Sequence, residues 1–238
     1  MQLQRKLMLG SIVVFAAGLA YAADQQIQGN SLTVKNPSTP DKRKITGKGK
    51  EKTSPNTING NPTTLGGSVT ISAGGGSPSA QLFPLPQGTS GITGKPFWSG
   101  DAVKGFKYKD SKGENGAVKS AQIKKTASGN FSIKVVVSGK LGTILVTPPN
   151  PGTNGCVLLS LNGGDTYSVA FLVGDGLITN KGATLYKHKK VTLQGSCVTP
   201  TTTPTTSTTS TTTSSTTTTT LYGSPSRAFF DRVIGLLD

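Results

Sequence analysis

The sequence predicts an all-β domain, a single antiparallel β-sandwich or flattened barrel, and three observations carry that prediction. Short segments in which apolar and polar residues alternate recur from residue 31 to residue 191, the period of a half-buried strand. Between them lie clusters of Gly, Pro, Asn, Asp and Ser, the residues that tight turns need, and the chain holds 31 glycines and 14 prolines among its 238 residues. No segment of residues 27–198 repeats its apolar positions at helical spacing. The pattern amounts to roughly ten short strands over about 170 residues, enough chain to bury a real core.

Taken in order, residues 23–28 are expected to be loosely held, and a first strand runs over residues 31–35, where Leu32 and Val34 alternate with Thr33 and Lys35. A turn containing Pro37 and Pro40 leads into the charge run of residues 42–52. That run is read as an exposed edge strand whose lysines discourage pairing with another chain, or alternatively as a polyanion-binding strip. Residues 53–66 form an irregular connection. Strands follow at residues 68–72 and 80–85, and the Gly74, Gly75, Gly76 triplet between them lacks the Lys-Ser/Thr ending of a phosphate loop. Residues 106–110 alternate aromatic with charged, residues 111–116 suit a hairpin loop, and residues 117–125 return. The clearest strand is residues 131–138, with Phe131, Ile133, Val135 and Val137 on one side and Ser132, Lys134 and Ser138 on the other. Residues 143–147 make a further strand before Pro148, Pro149 and Pro151. Residues 156–161 and 166–173 are hairpin arms joined by Asn162, Gly163, Gly164 and Asp165, the best turn signal in the chain. A basic strand over residues 184–191 comes last.

Outside this domain, taken as residues 23–198, the chain changes character three times. Residues 1–22 read as a signal peptide: Arg5 and Lys6 precede an apolar run, and Ala20, Tyr21 and Ala22 give the small-residue pattern that places cleavage after Ala22. The run is interrupted by Gly10, Ser11 and Gly18 and is short for a membrane span, so no transmembrane helix is expected after cleavage. Residues 199–220 contain 16 threonines, four serines and two prolines, a disordered linker that can build no core. In residues 221–238, Ser224 and Pro225 suit a helix start, and Phe229, Phe230, Val233, Ile234 and Leu237 recur at helical spacing. That apolar tail suits a sorting tag docking on a partner, packing against its own domain, or lying on a membrane surface.

An exported chain meets an oxidising compartment, and Cys156 and Cys197, the only two cysteines, are expected to form a disulfide. The location is then periplasmic, cell-surface or extracellular. The formal charge is +15, or +13 once Arg5 and Lys6 are removed. Of 25 basic residues only Arg5, Arg43, Arg227 and Arg232 are arginine, which favours a solvated cationic surface over bidentate recognition. The partners this admits are acidic polysaccharide or another cell-envelope component rather than intracellular nucleic acid.

Candidate ligand-binding residues are Phe97 and Trp98 with Tyr108, a flat platform for sugar rings, together with Phe106, Lys107 and Lys109; burial in a core is the alternative for the aromatics. Set beside the lysines at residues 42–52 and 187–190, those of residues 105–147 read as the polar face of a basic β domain. Catalytic readings lack residues. His188 is the only histidine and sits in a lysine run without a nucleophile-elbow motif, and the cysteines are expected to be bonded to each other. Asp41, Glu51, Asp101, Asp110, Glu114, Asp165 and Asp175 lie mostly in turns, where carboxylates serve backbone geometry. No CxxC or EF-hand spacing suggests a metal, and no cofactor is expected.

Lys42, Arg43 and Lys44 after a Pro-containing turn, residues 105–110, then Val118, Lys119 and Ser120, and finally Gly195, Ser196 and Cys197 resemble an uncharacterised family of exported bacterial β-domain proteins. The resemblance covers about residues 28–198 and implies export and a β fold, with no catalytic residue to carry over. The expected function is a non-enzymatic, structural or adhesive β-domain with a basic surface, displayed through its Thr-rich stalk. The alternative is a carbohydrate- or polyanion-binding module, and the third reading is a polysaccharide-degrading enzyme.

Overall fold

A computed structural model describes residues 22–197. The expected linker, the apolar tail with Phe229, Phe230, Val233, Ile234 and Leu237, and all but the last residue of the expected signal segment lie outside the described residues. Thirteen strands are described: β1 (Asp24–Gln26), β2 (Gly29–Lys35), β3 (Lys44–Glu51), β4 (Gly67–Gly75), β5 (Ser79–Leu85), β6 (Trp98–Asp101), β7 (Gly105–Lys109), β8 (Val118–Lys125), β9 (Phe131–Ser138), β10 (Gly152–Leu161), β11 (Thr166–Phe171), β12 (Leu177–Lys181) and β13 (Leu185–Lys189). They form a five-stranded sheet in the order β1-β11-β10-β4-β5 and an eight-stranded sheet in the order β12-β13-β2-β3-β9-β8-β7-β6. Neither closes on itself, so the architecture is a sandwich and not a barrel.

The core lies between the sheets. Ile133, Val135 and Val137 of β9, Val69 and Ile71 of β4, and Val157 and Leu159 of β10 are all buried. The rings of Phe131 and Tyr167, on different sheets, stack with centroids 6.0 Å apart. Strict alternation explains why β9 forms where the pattern puts it: every second side chain leaves water, at about 1.5–3 kcal/mol for each large aliphatic side chain fully buried.

The lysine run at residues 42–52 is the main departure from expectation. It is not an edge strand: β3 pairs with β2 on one side and β9 on the other. Its inward positions are Ile45, Gly47, Gly49 and Glu51, and the two glycines hide the apolar period that would mark a central strand. Their bareness is a packing requirement. A Cβ on Gly47 would lie 2.5 Å from Val157 Cγ2, and one on Gly49 would lie 2.8 Å from Val169 Cγ2. The facing valines occupy the volume that β3 leaves open.

Residues 143–147 keep the expected alternation without being a strand. Ile144 and Val146 are buried and Leu145 is 63% exposed, but the backbone bonds run to side chains. Leu145 N–H donates to Gln81 Oε1 at 2.7 Å, and Thr147 N–H donates to Ser79 Oγ at 3.0 Å. Residues 23–28 are not loose: β1 pairs in parallel with β11, from Asp24 opposite Thr166 to Gln26 opposite Ser168. The connection at residues 53–66 contains one helical turn, Pro62–Leu65, capped by Asn61 and begun by its proline.

Gly47→Ala is therefore expected to destabilise the domain by about 1–3 kcal/mol in urea unfolding, because the stiff β-branched Val157 cannot move aside. Adding Val157→Ala should recover part of that loss, and equal costs in the two backgrounds would contradict the packing account.

Candidate functional site

The outward face of the eight-stranded sheet collects lysines from strands far apart in sequence. Lys35 on β2, Lys44, Lys48 and Lys50 on β3, Lys107 and Lys109 on β7, Lys124 on β8, Lys134 on β9, and Lys187 and Lys189 on β13 alternate with buried residues and so share one side. Strand register aligns them into rows. One row crosses six strands as Lys189, Ser31, Lys48, Lys134, Gln122 and Lys107. At about 4.8 Å per strand it spans roughly 24 Å. The neighbouring row reads Lys187, Thr33, Thr46, Val136, Ser120 and Lys109, with hydroxyls between terminal lysines. Lys35 faces Lys44 directly across β2 and β3. No acidic residue occupies an outward position on these six strands.

The crowding is strongest where β13, β2 and β3 meet, in a shallow trough of about 370 Å³ lined by Lys35, Lys44, Lys48, Lys187, Lys189 and three hydroxyl residues. The close approach of the Lys189 amine, then desolvation and the positive charge of Lys35, hold the Lys187 ammonium below the ordinary lysine range. The opposite side of the sandwich carries little charge, Asp24 at the edge strand β1 being the one ionisable side chain at an outward strand position there. Outward positions on β4, β5 and β10 are Ser68, Thr70, Ser72, Ala80, Leu82, Pro84, Leu158 and Ser160, with Cys156 beside them.

The proposed aromatic platform faces the other way. Phe97, Trp98, Phe106 and Tyr108 are 6%, 3%, 3% and 1% exposed. Tyr108 stacks on Phe97 with centroids 6.0 Å apart and meets Trp98 edge-on at 5.3 Å. Trp98 Nε1–H donates to the Leu85 carbonyl of the other sheet at 3.0 Å, satisfying its one polar atom inside the core. Burial, the largest influence, pushes the Tyr108 phenol up to about 12. These rings brace the two sheets and present no stacking surface. Lys107 and Lys109 alternate with them on the outward side, so the structure keeps the lysines of that candidate set on the surface and moves its aromatics inside. Only Phe97 reaches a cleft with them, about 360 Å³ in volume and lined also by Lys95 and Lys112.

Cys156 and Cys197 are bonded, with 41 residues of separation. The bond fixes the irregular segment after β13 across the outside of β11, where Cys197 N–H donates to Ser168 Oγ at 3.0 Å.

The carboxylates organise loops. Asp110 accepts from the backbone N–H groups of Gly113, Glu114 and Asn115 at 2.7–3.1 Å. Asp101 accepts from Val103 and Lys104 at 2.9 and 2.7 Å, and Glu114 accepts from Gly91 at 2.7 Å and from the Ser90 hydroxyl. Glu51, 6% exposed, takes the Gln28 N–H at 2.8 Å, the Ser54 hydroxyl, and the side-chain amides of Asn56 and Gln194. Asp175 takes the backbone N–H groups of Thr192 and Leu193 at 3.0 and 2.8 Å and the Thr192 hydroxyl at 2.7 Å. Those bonds, led by that from Leu193, hold its carboxyl below the usual carboxylate range. His188 is fully buried: Nδ1 lies 3.1 Å from the Tyr186 hydroxyl and Nε2 meets the Asp175 carbonyl oxygen. Among the described residues, no group of three or more His, Cys, Asp or Glu side chains is placed to hold a metal ion, and no helix is long and apolar enough to cross a membrane.

Comparison of the chain with protein-family models, with curated proteins and with solved structures found no match.

Two outcomes test the supports of this site. Replacing both cysteines by serine should cost about 4 kcal/mol in denaturant unfolding, as expected for opening a loop of roughly 40 residues. The Asp175 contribution has the opposite pH sense from that of a buried base: with its pKa depressed on folding, stability is present above the ordinary carboxylate value of about 3.9 and is lost as pH falls through the lower folded value. The gap in melting temperature between the native chain and Asp175→Asn should accordingly be constant above about pH 5 and narrow towards pH 2.

Proposed function

We propose that the protein is an exported, non-enzymatic β-sandwich module that adheres to an acidic polymer, an acidic polysaccharide of the cell envelope or its surroundings, through the lysine face of its eight-stranded sheet. The observation that carries this reading is the one-sided arrangement: ten lysines on six adjacent strands of one sheet face with no outward acidic side chain on those strands, Asp101 lying on the edge strand β6, and a face opposite whose one outward strand charge is Asp24. Lysine ammonium groups are point charges on flexible stems, suited to a polymer whose anionic groups recur along its length rather than to one rigid bidentate ligand. Hydroxyls of Ser31, Thr33, Thr46 and Ser120 between the lysines offer neutral hydrogen bonds to a sugar. With the aromatics in the core, recognition rests on charge spacing, so binding should release counterions and weaken steeply with salt.

Export is supported by the signal pattern ending at Ala22 and by the disulfide. The non-enzymatic reading draws support from the carboxylates, whose oxygens are engaged by loop amides and hydroxyls.

Retention on a heparin column measured at several salt concentrations tests the face directly. Lys48→Ser with Lys134→Ser should elute at clearly lower salt, with the salt slope falling by up to about one per lysine removed. Lys52→Ser with Lys140→Ser, which removes the same charge from exposed positions outside the strands, should elute close to the native protein. Equal losses from the two pairs would reduce the effect to net charge and refute the face.

A further inference from the structure

The geometry points to a receptor for the newly made N-terminus: we propose that cleavage after Ala22 converts the backbone nitrogen of Ala23 into an ammonium that pairs with the buried carboxylate of Asp165, so that processing completes the fold. This rests on the export part of the proposed function and is independent of the lysine face.

The topology brings the two groups together. β1 is parallel to β11, so the two strands start side by side, and the residue before β1 meets the residue before β11. An antiparallel β1 over the same stretch would begin beside Ser168 instead. Ala23 N lies 3.0 Å from Asp165 Oδ1, while the Ala23 carbonyl accepts from Thr166 N–H at 2.9 Å, which fixes the residue from both ends. Asp165 is 6% exposed. Its other partners are the side-chain amides of Gln25 and of Asn59, the latter at 2.7 Å, both neutral donors. A carboxylate so enclosed gains most from a cationic donor, and the nitrogen already in place becomes one on cleavage.

The reaction balances with water as the co-reactant of a signal peptidase. The Ala22 carbonyl carbon takes the hydroxyl and leaves as a carboxylate, and the Ala23 nitrogen keeps a hydrogen and is protonated at neutral pH. Before cleavage the same atom is an amide that donates one uncharged hydrogen bond. After cleavage it has three donors and a full positive charge against Asp165.

The other ionisable groups near this nitrogen have separate engagements. Asp24, the next residue, points its carboxylate at the hydroxyls of Ser168, at 2.6 Å, and Ser196. Tyr167 contacts the site through Asn59 and stays neutral, its phenol pushed up to about 12 chiefly by burial. Pairing raises the folded pKa of the amine above its ordinary value of about 7.7–8.0. The stabilisation is thus complete below that value and is lost as pH rises through the raised one.

The test uses the processed full-length protein. N-terminal sequencing of the exported chain should return Ala23 as the first residue; a different start overturns the inference at its first step, whatever the heparin column shows. Titration of the α-amine by NMR should show its proton held at least about tenfold more tightly than in Asp165→Asn. A second comparison adds one glycine ahead of Ala23, which restores the amide, and should lower the thermal midpoint at pH 7 in the native background but not in the Asp165→Asn background. An α-amine titrating in its ordinary range, or an extension equally harmful in both backgrounds, would overturn the pairing. The glycine-extended chain retains Asp165, so if Asp165→Asn fails to fold, the amine titration of the native chain alone still decides.

Discussion

The architecture depends on how closely β3 approaches the opposite sheet. At Gly47 and Gly49 the backbone of β3 is met by the side chains of Val157 and Val169, with no room for a Cβ on β3 itself. Dense interior packing makes this a constraint on shape, because a single added methyl must displace a valine. A strand that gives the hydrophobic core only one side chain, Ile45, is thus central to its sheet, with its outward positions free of any demand from the interior. Lys44, Lys48 and Lys50 occupy those positions beside Lys35 and Lys134. Packing on one side of a strand thus creates the site that carries the charge on the other.

Charge is segregated by the same division of labour. Asp101, Asp110, Glu114 and Asp175 close loops by accepting backbone N–H groups, and Glu51 gathers the amides of three separate segments. A hydrogen bond to a charged group is worth about 1.5–3 kcal/mol, so the acids are held where loops need them. The lysines sit on a regular sheet, where side chains stand outward at fixed spacing. The resulting field is strongest on one side, which under the proposed function would orient a polyanion at a distance before any contact forms.

Local patterns were legible in the sequence, and long-range placement was not. Residues 131–138 appear as a strand with the expected bounds because all four inward positions are apolar. β3 reads as an edge because glycine carries no hydrophobic signal, although Lys44, Thr46, Lys48 and Lys50, polar at every second position, are the clue to a single solvent face. β12 is exposed along its whole length and has no alternation to detect, and β1 consists of three polar residues whose pairing depends on a strand 142 positions away. In residues 106–109 the alternation of aromatic with lysine was plain, but not which set met the core; the partners of Trp98 decide that, and they lie on β5 and β7. Lys107 and Lys109 belonged to the initial candidate set. Their alignment with Lys134, Lys48 and Lys189 is a matter of register, which no local pattern contains.

The disulfide sets the direction in which the domain would resist tension. Cys197 is the last described residue, and its bond leads to Cys156 on β10, the middle strand of the five-stranded sheet. A pull transmitted through residues beyond 197 would pass by a covalent path into that strand, sparing the irregular segment between β13 and Cys197. β10 is hydrogen-bonded along its length to β11 and β4, so the force would be shared by two ladders loaded together instead of opening one edge bond at a time. A module gripping a polymer with one sheet would then be held from the centre of the other.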